Sequence, residues 1–357
     1  MKILITGNMG YIGPSVVKQL RNTYPDATLI GFDIGYFAQC LTNTQFLPEC
    51  RVNVQHFGDV RNFPRELLSG VNAIVHLAAI SNDPMGKTYE DFTLDVNFRA
   101  SVQIAKMAKE EGVDTFVFAS SCSVYGAAGE GARTESSPVN PLTAYAKSKV
   151  FTENELEKIA DDSFKVTALR FSTACGMSER LRLDLVVNDF VASAVATKKI
   201  TILSDGTPWR PLINIKDMAR AMDWAILRDP AESGNYLAIN IGRQDWNFQV
   251  KDLANEIAKV IPGTEVSLNS DAQPDKRSYQ VDFSLFKKLA PDHQVLCDLQ
   301  TTAVEIKEGL EAIGFKDGDF RNSLFMRLKV LKQLESSGAL TPDLKWEFNA
   351  KLAPVAH

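Results

Sequence analysis

The chain begins Met1-Lys2-Ile3-Leu4-Ile5-Thr6-Gly7-Asn8-Met9-Gly10-Tyr11-Ile12-Gly13. An apolar run of strand length passes directly into three glycines, and beyond them Val16, Val17 and Leu20 recur at helical spacing. A strand, a glycine-rich turn and a helix in that order form the unit that receives the phosphates of a dinucleotide. Glycine is needed where a side chain would collide with a pyrophosphate or with the strand behind the turn. The helix N-terminus adds unpaired N–H groups and the positive end of its dipole. The spacing is GxxGxxG and not the commoner GxGxxG, so support has to come from residues further along.

The first support is Asp33, which ends a second apolar run, Thr28 to Asp33, about 20 residues past Gly13. A carboxylate there accepts hydrogen bonds from ribose hydroxyls and repels a 2′-phosphate. No Arg or Lys follows in Ile34-Gly35-Tyr36-Phe37, so the expected cofactor is NAD and not NADP. Further strands are expected near Val52 to Phe57, at Ala73 to Leu77, at Thr115 to Ala119 and at Lys165 to Phe171. Between them, Glu90 to Glu111 has the periodicity of one long amphipathic helix. This alternation predicts an α/β fold, a doubly wound parallel Rossmann sheet with a smaller C-terminal α/β substrate-binding domain.

The expected division is 1–175 for the cofactor domain and 176–357 for the substrate domain and tail, with returns to the first sheet near 212–245. Tyr236 to Ile241 is a candidate for such a return. Helices are expected near Leu185 to Thr197, Lys216 to Leu227 and Val250 to Val260. The tail after Leu340 shows no chemistry-bearing pattern.

Composition bounds the function classes. The 357 residues carry 39 Lys plus Arg against 44 Asp plus Glu, a net charge of −5, and 45% are hydrophobic. A mildly acidic surface argues against nucleic-acid binding. The first apolar stretch ends too early for a signal peptide, and no apolar run reaches the ~18 residues of a membrane span. Cys40, Cys50, Cys122, Cys175 and Cys297 are scattered, odd in number and without metal-ligand spacing. Reduced thiols in the cytoplasm and no metal site are the expectation.

Tyr145 and Lys149 stand four apart on a helix expected over Pro141 to Ala160, so both project from one face. A phenol of reference pKa about 10 is a poor base at neutral pH, and an adjacent ammonium favours the phenolate. Alone, the pair reads as a packed Tyr beside a solvated Lys. It stands, however, with the glycine turn, Val75-His76-Leu77-Ala78-Ala79, Asn97 and Ala119-Ser120-Ser121-Cys122-Ser123-Val124-Tyr125-Gly126. Over roughly residues 1 to 285 this combination resembles the extended short-chain dehydrogenase/reductase family, nucleotide-sugar epimerase/dehydratase type.

The resemblance implies a catalytic Ser121, Tyr145 and Lys149. It implies cofactor contacts from Gly7, Gly10, Tyr11, Ile12, Gly13, Asp33, Asp59, Val60, Leu77, Ala78 and Ala79, with Lys149 and Tyr145 at the nicotinamide end. It places Ser121 and Ser123 against a nucleotide-diphosphate sugar. Arg210, in Gly206-Thr207-Pro208-Trp209-Arg210, and Arg277 resemble the arginines that hold its diphosphate. It also implies a homodimer through the helices Glu90 to Glu111 and Pro141 to Ala160. His76, inside an apolar strand end, and Cys122 read as packing residues. Ser172 stands where the family has asparagine, and Arg180 and Arg182 read as exposed loop charges, with ligand contact as the alternative.

The residues after Ser121 choose among activities. Related 4,6-dehydratases carry an Asp-Glu pair there and decarboxylases a glutamate, whereas this chain has Cys122-Ser123. A Cys-His two-base epimerase is disfavoured because no histidine falls between His76 and His293. Reversible C4 epimerisation through a 4-keto sugar is the favoured reading. A ketoreductase or dehydrogenase is the alternative, ahead of a 4,6-dehydratase or a non-catalytic NAD-binding regulator.

Overall fold

The computed structural model describes residues 1–42, 44–81, 83–269 and 277–347. Seven parallel strands form its main sheet: β1 (Lys2–Thr6), β2 (Thr28–Asp33), β3 (Val54–Phe57), β4 (Ala73–His76), β5 (Thr115–Ser121), β6 (Lys165–Phe171) and β7 (Tyr236–Ile241). Their spatial order is β7-β6-β5-β4-β1-β2-β3. The chain reverses direction across the sheet between β1 and β4, and that switch opens a crevice at the strands' C-terminal ends. Tyr236–Ile241 does return to the sheet, paired with Val166 to Phe171.

Strands covered on both faces read as continuous apolar runs. On one face α1 (Gly13–Thr23) sets Val16, Val17 and Leu20 in one core with Met218, Ala221 and Met222 of the helix Ile215–Leu227. On the other, Ile104, Ala105 and Ala108 share a core with Leu156 and Ile159 of α2 (Ala144–Ile159). Thr143 caps α2, its hydroxyl accepting from the Ala146 N–H at 3.2 Å.

The helix expected over Glu90 to Glu111 is not uniform. Glu90–Leu94 is α-helical, Asp95–Ala100 is π-helical, and Ser101–Glu110 is α-helical. Inside the wide turn, the Asn97 carbonyl accepts from the hydroxyls of Ser101 at 2.8 Å and Thr152 at 2.9 Å. Side-chain hydroxyls thus satisfy a carbonyl that the widened ladder releases.

Smaller sheets lie beyond the C-terminal ends of the main strands. Trp209–Asn214 pairs with Thr173–Cys175 in parallel and with Asn247–Gln249 antiparallel. Ser278–Val281 pairs with Ala127–Arg133. The helices Val186–Thr197, Val250–Val260 and Leu299–Ala312 lie where periodicity placed the first two. The last helix, α3 (Arg327–Ser336), returns toward the β2 side of the sheet. Among the described residues no helix is long and apolar enough to cross a membrane, and no His/Cys/Asp/Glu group could hold a metal.

Candidate active site

The crevice is a cleft of about 460 Å³, within the range of small-ligand sites. Every site residue proposed from the sequence lines it, from the glycine turn and Asp33 through Ser121, Tyr145 and Lys149 to Arg210 and Arg277.

The three glycines have different reasons. Gly7 has φ +75°, and a Cβ on it would lie 2.6 Å from the Ala78 nitrogen. A Cβ on Gly13 would lie 2.1 Å from the Asn8 carbonyl oxygen. Both glycines are therefore imposed by the protein's own backbone. A Cβ on Gly10 would meet only the Gly7 carbonyl oxygen, at 3.3 Å, so this is where the turn leaves room toward the cleft. In the first turn of α1, Pro14 has no N–H and the Ser15 and Val16 N–H groups donate to the Ile12 carbonyl at 3.1 and 3.2 Å, so what this helix end offers the cleft is the positive end of its dipole. The Tyr11 hydroxyl points away from the cleft, donating to the Gly176 carbonyl at 2.6 Å and accepting from Asn188 at 2.9 Å.

Asp33 accepts the Met9 N–H at 3.0 Å and the Gly35 N–H at 2.7 Å. Burial nevertheless raises its pKa above the usual carboxylate value. Asp59 is held by Arg61, whose Nε donates to it at 2.8 Å. Leu77 to Ala79 are fixed through their neighbour Ile80. Its N–H donates to Asn97 Oδ1 at 2.8 Å, and its carbonyl accepts from Asn97 Nδ2 at 2.9 Å. Asn97 thus ties the strand end to the π turn.

At the other end of the cleft, Lys149 is 3% exposed and donates to the Ala119 carbonyl at 2.7 Å. Its ammonium sits 4.7 Å from the Phe118 ring centre and 5.5 Å from that of Tyr145. Burial pulls its pKa from 10.5 to about 7, against an opposing contribution from Glu153. The Ser121 oxygen accepts the Ser123 N–H at 3.1 Å, which leaves its own proton to donate. The Ser123 hydroxyl is buried and makes no hydrogen bond among the described residues.

Arg210 and Arg277 are brought together. Arg210 donates to the Arg277 carbonyl and to the Trp209 carbonyl at 2.8 Å, and the Trp209 N–H donates to Ser278 at 3.1 Å. Ser172 lines the cleft but donates its hydroxyl to the Ile241 carbonyl at 3.0 Å.

His76 is buried between the Thr6 and Ser101 hydroxyls, each 2.8 Å away, and burial lowers its pKa to about 3. Cys122 is buried with its thiol donated to the Arg170 carbonyl at 3.0 Å, and burial pushes its pKa up. Both are packing residues, as expected.

One expectation fails. Arg180 and Arg182 are not exposed loop charges: they are 0% and 5% exposed. Arg180 pairs with Glu49 at 2.6 Å. Arg182 pairs with Asp184 at 2.8 Å and donates to Ser81 at 2.8 Å, so it reaches the segment that follows β4 and lines the cleft. Their carboxylates make burial tolerable, and Leu181 and Leu183, both fully buried, draw the segment inward. That Arg-Leu-Arg-Leu-Asp alternation was the available signal. Arg327 also lines the cleft, and nothing in its local sequence announces it.

Comparison with known proteins places this arrangement. Residues 3–242 match the NAD dependent epimerase/dehydratase family. A protein of Bacillus subtilis (strain 168) described as the uncharacterized UDP-glucose epimerase YtcB is 32% identical over 251 residues, covering 68% of this chain and 77% of its own. The dTDP-D-glucose 4,6-dehydratase of Mus musculus is 25% identical over 286 residues, 77% of each chain. The solved structure of MoeE5 in complex with UDP-glucuronic acid and NAD shares the fold, with a TM-score of 0.75 at 24% identity over 88% of this chain and 100% of that one. With a glycine turn, a strand-end carboxylate and a Tyr-Lys pair meeting in one cleft, and a match that spans all three, the chain belongs to the NAD dependent epimerase/dehydratase family.

Proposed function

We propose that the protein interconverts nucleotide-diphosphate sugars at C4 by transient oxidation to a 4-keto sugar. The observation that carries this reading is the acid inventory of the cleft. Among the described residues its carboxylates are Asp33, Asp59 and Asp184, and each is engaged, by the Met9 and Gly35 N–H groups, by Arg61 and by Arg182. Among the described residues no glutamate, cysteine or histidine lines it. Elimination of water from the sugar calls for an acid beside the leaving hydroxyl, and these residues leave none for it.

The residues fit NAD. The glycine turn and α1 would take the pyrophosphate, Asp33 the adenosine ribose, Asp59 and Val60 the adenine, and Leu77 to Ala79 with Lys149 the nicotinamide half. Bound NAD supplies a hydride acceptor that can return what it takes. Tyr145 then removes the sugar hydroxyl proton, and Ser121 orients that hydroxyl by hydrogen bonding. The desolvated Lys149 ammonium gains a counter-charge when the Tyr145 phenolate forms, so each stabilises the other's charged form. Arg210 and Arg277 hold the diphosphate through charge-assisted bonds. Anchoring there leaves the sugar ring able to turn and present its other face, with Tyr145 returning the proton.

In this reading residues 1–175 with the 212–245 return form the cofactor domain, and 176–357 form mainly the substrate domain. Phe151, 42% exposed on α2, packs edge-on against Phe98 of the π turn with ring centres 5.6 Å apart. This supports a homodimer through those helices, which sedimentation at micromolar concentration would show and a purely monomeric boundary would refute. The five thiols are unpaired, which suits the reducing cytoplasm. The substrate class is tested by thermal shift with NAD and a panel of UDP-, dTDP- and GDP-linked sugars. A binder at 100-fold its Kd adds about 2.7 kcal/mol and raises Tm. A panel in which sugar nucleotides never add to the NAD shift would count against the reading.

A further inference from the structure

We propose that the C-terminal segment completes the cofactor site, with Arg327 at the start of α3 binding a phosphate oxygen of the dinucleotide. This rests on the reading that the cleft holds NAD. The matched family region ends at residue 242, so it assigns nothing to α3.

Three buried arginines lie near one another, and two of them, Arg182 and Arg327, line the cleft. Arg180 has Glu49 and Arg182 has Asp184, whereas Arg327, 1% exposed, has no carboxylate within ion-pair distance among the described residues. Its guanidinium lies 4.8 Å over the Phe37 ring and donates to the Arg180 carbonyl at 2.7 Å and the Leu324 carbonyl at 3.4 Å. It also lines the cleft. A guanidinium out of water without an anion is costly, and burial draws the Arg327 pKa down to about 10. An anionic ligand in the cleft would relieve that cost.

Position selects the phosphate. Phe37 lies four residues beyond Asp33 in the same loop, and Ile34, Tyr36 and Phe37 all line the cleft. The Arg180 carbonyl that Arg327 holds lies two residues past Ser178, whose hydroxyl donates to the Tyr11 carbonyl at 2.7 Å, so Arg327 is tied to the glycine turn as well as to that loop, and the glycine turn is where the reading above puts the diphosphate. The rest of the segment braces the same loop. Trp346 donates to the Ile34 carbonyl at 2.7 Å, Tyr36 donates to the Leu344 carbonyl, and Arg61, which holds Asp59, donates to the Asp343 carbonyl at 3.0 Å. Docking of this segment and binding of the cofactor are thereby coupled.

The test uses the full chain stripped of nucleotide, as wild type, Arg327→Met and Arg327→Lys, with titrations of NAD, ADP-ribose, NADP and adenosine. Arg327→Met is expected to weaken NAD and ADP-ribose about 10- to 100-fold, the loss of a charge-assisted bond, and to leave adenosine unchanged. Its Tm without nucleotide should match or exceed wild type, because an unpaired buried charge is gone. Arg327→Lys should recover part of the affinity, and it carries the test if the Met variant fails to fold. An equal loss for adenosine, a loss confined to NADP, or a lowered Tm with unchanged NAD affinity would each overturn the proposal. A wild type that binds no NAD would sink the cofactor reading itself, an outcome distinct from a wild type that binds NAD as well as Arg327→Met does.

Discussion

Burial holds the Lys149 pKa near 7 against its ordinary 10.5, and that difference is a stability statement as well as a catalytic one. The unfolded chain keeps this proton up to about pH 10.5, while the cofactor-free folded protein releases it above about 7. Between those values unfolding takes up a proton, so stability rises with pH across the window. Lys149→Met should abolish that rise and melt at an equal or higher temperature near pH 7, while losing turnover. Melting curves across the window, wild type against variant, check it. Tyr145→Phe removes one oxygen and should keep NAD affinity while slowing turnover roughly 100- to 10,000-fold, measured as steady-state kcat beside a cofactor titration. The spacing of these two residues fixes their common face and no more; they were legible as a candidate pair only beside the glycine turn and the strand-end serines that carry the family resemblance. Arg182 was visible but misassigned, since a charge in a loop reads as solvated unless its carboxylate partner is known. Arg327 was not legible at all: its place beside Phe37 is set by tertiary packing.

At the scale of elements, the strands were readable where burial on both faces makes the apolar run continuous. β1, β2, β6 and β7 fall where the apolar pattern put them. The short outer strand β3 starts at Val54 and not Val52, because its side chains are only partly buried and mark no clear boundary. The π turn at Asp95–Ala100 has no sequence period of its own and was invisible within the long helix. Charges bridging elements were equally hidden. Arg170 of β6 meets Glu153 of α2 at 2.7 Å, both buried, and Glu153 also accepts from Ser120 of β5. Burial opposes the Arg170 charge, but Glu153 outweighs it and raises the pKa. Arg170→Met leaves Glu153 buried without its cation and is expected to destabilise by about 3–5 kcal/mol in urea unfolding. The double variant Glu153→Leu/Arg170→Met should recover most of that loss, which a simple cavity effect at Arg170 would not allow.

At the scale of the molecule, the order of seven strands puts the glycine turn, Asp33, Ser121 and the Tyr-Lys helix around one crevice although they come from separate parts of the chain. The smaller sheets then bring in Arg210 and Arg277, and the C-terminal segment braces the loop that follows β2. The first of these was foreseeable from alternating strands and helices, since handed crossovers leave few topologies. The last was not, because no local pattern says where a tail docks. What the whole assembly is proposed to do is turn a sugar over at one carbon and keep its cofactor unchanged. The most direct measurement supplies the tightest-binding nucleotide sugar with a catalytic amount of NAD and follows product stereochemistry together with nicotinamide absorbance. The predicted result is a C4 epimer that accumulates to equilibrium with no net change in NADH, and its formation from either direction. A stoichiometric change in NADH without an interconverted C4 epimer, or release of water to a deoxy-keto sugar, would contradict it.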